Sequence, residues 1–202
     1  MENNKGKEII NNYGVVAENI DNVTVNLPIH KIKNSILASL LEKLIEEKAF
    51  ETNSEPQPIT YDIREKIDYN NVIKYKDIIE KYASYHSICD NTLNLIDNVK
   101  IGAKKKILSS INDKYIAIKG EYIRKGQQDN KPLIDIIKES SDSIMDDIVN
   151  YHLNFIENIE NMDKYDYEEL EINLKAFITY CFIECKILEN PNLIKVEKHV
   201  NN

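Results

Sequence analysis

YEELEINLKAFITYCFIECKIL, residues 167–188, decides how the chain is read. Its second half is apolar on nearly every side: Ala176, Phe177, Ile178, Cys181, Phe182, Ile183, Ile187 and Leu188. A helix that is hydrophobic all round belongs inside a bundle rather than on its surface. The uninterrupted apolar run over 176–183 is far shorter than the roughly 20 residues that cross a bilayer. The stretch therefore reads as a central core helix. Its expected stop is Glu189-Asn190-Pro191, because a residue before proline is pushed out of the α region.

The totals agree with that reading. A chain of 202 residues, 42% hydrophobic and 30% charged, has the make-up of one globular domain or a domain with an arm. A core of this size needs no disulfides. Five Gly and five Pro are too few for the many turns of a β-sandwich. A net charge of −8 gives no overall attraction to nucleic acid or to an anionic membrane. Three cysteines, an odd number, read as reduced thiols of a cytoplasmic protein. The opening MENNKGKEIINN has no apolar core of a signal peptide.

Outward from the core helix, five parts are expected. Residues 1–28 form an arm with a short β-ribbon, from the runs around Val15 and around Val23 and Val25, with a turn-like ENIDN between them. A ribbon of two strands is marginal alone and must pack on its own helices or pair with a partner chain. Residues 29–50 form an amphipathic helix with Pro28 at its start, striped by Ile32, Ile36, Leu37, Leu40, Leu41 and Leu44. That helix has two places open to it, the main bundle or a second copy of itself. ETNSEPQP is a linker over 51–58, and 59–191 is the bundle, with 192–202 as a tail.

Within the bundle, one long helical pattern leads to Ile96 and breaks at 98–102. The next helix runs over 103–122, and RKGQQDNK follows as a loop. Asp129 or Asn130 caps a helix that begins at Pro132 and continues to Ile156. About four long helices with short connections make an antiparallel all-α bundle.

Three segments resemble the C-terminal domain of effector proteins of ABC three-component systems. They are YDIREKIDYNNVIKYKDIIEKYASY (61–85), KKILSSINDKYIAIKGE (105–121) and ITYCFIECKILENP (178–191). None is a catalytic signature. The resemblance implies a bacterial operon for anti-phage or anti-plasmid defence, with an ABC or SMC-like ATPase and companion subunits. It further implies a domain that tethers an effector to that ATPase assembly. Such effectors usually carry an enzyme ahead of this domain. Here 58 residues precede Ile59, which suggests an adaptor subunit or an effector on another polypeptide.

The chemistry-bearing residues point the same way. Cys181 and Cys185 at i, i+4 supply at most two metal ligands, and no second Cys/His pair follows to complete a zinc site. His86 with Cys89 would join them only by tertiary coincidence, and buried cysteines usually act as small hydrophobes. No metal or cofactor is expected. His152 fits an apolar stripe and reads as a core or boundary histidine. No GxSxG, Walker A, GxGxxG or HExxH occurs. The helical HEPN ribonucleases need an arginine closely followed by a histidine, which neither Arg64 nor Arg124 has.

Lys104, Lys105, Lys106, Lys114 and Lys119 form a possible basic face, and 139–171 is strongly acidic. The lysines lack the arginines and aromatics of a nucleic-acid surface. Complementary faces suit a protein partner, where charge steers association. Tyrosine is enriched at interfaces, and among the twelve in this chain Tyr13, Tyr69, Tyr75 and Tyr85 are offered to a partner. Val15, Val23, Val25, Ile32, Leu40 and Leu44 join them.

The expected function is a non-enzymatic adaptor docking to an SMC-like ATPase, with no membrane contact. The rival readings are a self-assembling regulator that oligomerises through 13–50, and a small nuclease-type effector whose site needs a partner.

Overall fold

The computed structural model describes residues 31–47, 60–127 and 131–192. The arm with its β-ribbon, and with it Tyr13, Val15, Val23 and Val25, lies outside the described residues. The described residues form one compact unit. It is all-α, with no strand among the described residues.

Its helices are α1 (Ile36–Glu46), α2 (Tyr61–Tyr69), α3 (Lys76–Tyr82), α4 (His86–Val99), α5 (Ala103–Gly126), α6 (Leu133–Glu139), α7 (Ser141–Glu157) and α8 (Tyr167–Ile183). Short 3-10 turns, Ala83–Tyr85 and Met162–Lys164, precede α4 and α8.

The core helix is where its composition puts it. α8 packs against α1, α3, α4 and α7, and every residue from Ala176 to Phe182 is buried. A capping box opens it: Asp166 accepts from the N3 amide and the Glu169 side chain accepts from the Asp166 amide. It ends with its apolar run at Ile183, earlier than the expected stop at Glu189-Asn190-Pro191. Cys185 takes a left-handed φ of 54°. Its amide bonds to Phe182 O and the Lys186 amide to Cys181 O. That is a Schellman cap with cysteine where glycine is usual. The chain then folds back, burying Ile187 and Leu188.

α2 ends in the same way. Asn71 takes φ 53°, its amide bonds to Asp68 O, and the Val72 amide bonds to Ile67 O. The long pattern expected up to Ile96 is thus three helices. Asn tolerates the left-handed conformation better than other non-glycine residues, which is why the break falls there. Asp142 at the start of α7 then accepts from the amides of Ile73, Lys74 and Tyr75.

The helix expected from Pro132 to Ile156 is also broken, at Ser140. There the Ser141 hydroxyl donates to Asn71 O, tying the break to the end of α2. α5 runs on to Gly126, past its expected end. A Cβ at Gly126 would meet the Ile136 side chain at 2.7 Å, so α6 packs close against this last turn.

The first amphipathic helix differs most from expectation. Ile32 is extended: its amide donates to Asn158 O and its carbonyl accepts from the Glu160 amide. Helix begins only after Ser35, whose hydroxyl accepts from the Ala38 amide. α1 lies against α4, α5 and α8. Leu40 and Leu44 are 0% exposed, so α1 is part of the bundle rather than a separate element before it.

Candidate functional site

Several residues offered to a partner are consumed by the chain's own core. Leu40 and Leu44 are fully buried, and Ile32 packs against the core from the edge. Tyr75 is buried, and its hydroxyl donates to Asp146 Oδ1 at 2.7 Å. Burial, and then that carboxylate, push the Tyr75 phenol far up. Tyr85 packs beside Tyr82 with ring centroids 6.1 Å apart. Tyr69 is half-buried under the Lys138 ammonium, 4.5 Å from its ring.

The basic face is partly spent as well. Lys104 Nζ bonds to Asp90 Oδ1 at 2.8 Å and to Asn94. Lys114 sits 3.6 Å over the Tyr151 ring. Lys119 bonds to Glu189 Oε1 at 2.8 Å. Of the five, Lys105 and Lys106 are exposed and the other three half-buried.

An apolar surface appears instead at the turn between α4 and α5. Val99 is 90% exposed, Ile101 88% and Leu95 51%. Leu95 and Val99 share a face at i, i+4, and Ile101 follows in the turn. The turn is built firmly: Gly102 supplies φ 82°, and Asp97 Oδ1 accepts from the Lys104 amide at 2.9 Å, capping α5 from α4. Exposed Lys100, Lys105 and Lys106 surround the tip. Val99 and Ile101 flank a helix break, where polar residues are the usual choice; this was the sequence signal for the tip.

Just beyond the C-terminal end of α8 the three quoted segments meet. Glu189 Oε1 accepts from the Tyr115 hydroxyl at 2.6 Å and from Lys119. Asn70 and the Glu189 backbone exchange two hydrogen bonds, of 2.8 and 2.9 Å. Burial acts to raise the Glu189 carboxyl. The hydrogen bonds from Lys119 and Tyr115 and the charge of Lys119 outweigh it and hold the group below its ordinary value.

Lys66 is 4% exposed, and its ammonium donates to Phe182 O and Ile187 O. Burial pulls its pKa down to about 8, against opposing contributions from Cys185 and Glu189. This amine therefore closes the carbonyl end of α8.

Two cavities flank the turn after α8, and Cys185 lines both. One, of about 550 Å³, lies over Lys66, His86 and Phe182. The other, of about 600 Å³, opens between that turn and the start of α5, with Lys104, Lys105 and Lys186 in its wall. Both volumes suit a small ligand.

Cys181 and Cys185 do not form the i, i+4 pair that a metal would need, because α8 ends between them. Cys181 is buried and Cys185 exposed. Among the described residues no group of three His, Cys, Asp or Glu could hold a metal ion. His152 is buried, with Nδ1 2.7 Å from Ile148 O, and burial lowers its pKa. It is a core histidine. No helix of the described residues is long and apolar enough to cross a membrane.

No protein-family model, curated protein or solved structure matches the chain. The resemblance to ABC three-component effectors rests on the three quoted segments alone.

Proposed function

We propose that the chain is a non-enzymatic protein-interaction subunit, an adaptor that docks through the tip between α4 and α5. The observation that carries this reading is the exposure of Val99 and Ile101, with Leu95 beside them, on a turn that Asp97 caps. Burying an exposed Val or Ile contributes about 2 kcal/mol, so three aliphatics at one tip form a usable anchor. The lysines around them select an acidic rim on the partner and steer its approach. The partner expected from the resemblance is an SMC-like ATPase in a cytoplasmic bacterial defence assembly.

The test is co-purification of the chain with the ATPase encoded beside it, for wild type and for the double variant Val99→Asp/Ile101→Asp. The variant should fold normally and lose the ATPase. Retention of the ATPase at wild-type yield would overturn the reading.

A further inference from the structure

We propose that the cavity between α1, α5 and α7 binds a small phenol, a single aromatic ring whose hydroxyl donates to His152 Nε2. This inference does not rest on the docking tip. The cavity has a volume of about 270 Å³. A void of about 150 Å³ already holds one benzene, so a substituted ring fits. Leu37, Ile107 and His152 are buried and make its floor, and Phe155 is half-buried at its side. Exposed Ser110 and Tyr151 stand at its mouth. Apolar walls with one placed polar group are the usual make-up of a small-molecule site.

The polar group is the imidazole of His152, which is 5% exposed. Its Nδ1 lies 2.7 Å from Ile148 O. A carbonyl oxygen only accepts, so Nδ1 carries the proton and Nε2 of the neutral ring is an acceptor. Burial lowers the pKa and the Lys114 charge adds to that, outweighing the Ile148 hydrogen bond, so the ring stays neutral at pH 7.

Nε2 has no hydrogen-bond partner among the described residues. It is not sealed in either: the sealed side-chain atom left without a partner there is Asn173 Oδ1. A reachable acceptor in the floor of an apolar cavity fits a ligand that brings a donor. One water satisfies Nε2 but fills only about a tenth of the space. A ring with a hydroxyl satisfies the nitrogen and covers the walls together.

The imidazole is also held in place. The Tyr151 ring stands edge-on to it with centroids 5.0 Å apart, and the Ile148 bond fixes its other side. Nε2 is therefore aimed before a ligand arrives. A phenol hydroxyl is a stronger donor than an aliphatic one, and its ring suits the aromatic faces of Phe155 and Tyr151.

The test titrates the full chain, labelled with nitrogen-15, with phenol and separately with toluene, which has the same outline and no hydroxyl. In a purely apolar void toluene wins, because a buried hydroxyl without a partner is costly. Here phenol should bind roughly tenfold tighter than toluene, which leaves Nε2 empty. The largest shifts should fall at residues 35–37, 106–110 and 151–155. His152→Phe keeps a ring in the floor and removes the acceptor, so toluene should become the tighter ligand. Ser110→Trp changes an exposed residue at the mouth, so it should fold normally and lose both ligands. The absence of saturable phenol shifts, toluene binding as tightly as phenol, or a phenol preference that survives His152→Phe would each overturn the proposal.

Discussion

At the scale of single residues, the polar groups at the end of α8 are the ones whose loss matters most. Glu189 satisfies Tyr115 and Lys119 at once. Glu189→Ala leaves both without a partner in a half-buried place, and should cost roughly 2 kcal/mol in urea unfolding. Because its folded pKa is lowered, its contribution is present above the unfolded value near 4.5. It is lost as pH falls through the folded value.

Lys66 has the opposite sign. Its folded pKa, about 8, lies below 10.5, so between those values the unfolded chain binds the extra proton and stability rises with pH. The buried thiols Cys89 and Cys181 act against this, since the unfolded chain releases their protons first. The difference between wild type and Lys66→Met removes their effect. From pH 7 to 9, wild type should gain about 1 kcal/mol over the variant in denaturant unfolding.

These residues were barely legible in the sequence. Glu189 read as the end of a helix, and nothing in the sequence singled out Lys66. Their roles come from segments 70 to 121 positions apart meeting in space.

At the scale of elements, most of the helical content was legible and the breaks were not. The all-round apolar character of α8 and the stripe of α1 are periodic signals, and both became buried helices. Asn71 and Cys185 end helices in the left-handed conformation. Neither is glycine, so neither announces the break. The partner of α1 was also illegible, because an apolar stripe does not say what covers it. The structure answers with α4 and α8. Leu44→Ala should therefore cost about 2–5 kcal/mol in urea unfolding. A helix that faced a second copy would instead show a cost dependent on protein concentration. A chain beginning at Ile59 should lose its cooperative unfolding transition, since it uncovers the buried faces of α4 and α8.

At the scale of the whole molecule, the proposed function rests on a place where the fold leaves apolar side chains in solvent. Val99 and Ile101 contribute almost nothing to the core. Val99→Asp/Ile101→Asp should change stability by less than about 0.5 kcal/mol, so its effect on binding reads the surface and not the fold. The tip was half legible: the break was plain, but its exposure follows only from how α4 and α5 are capped against each other. The most direct test of the docking claim is hydrogen–deuterium exchange on the full chain, alone and with an SMC-like ATPase, the partner that the resemblance implies. The account predicts that binding slows exchange over residues 94–106. Protection confined to other surfaces, with 94–106 unchanged, would contradict it.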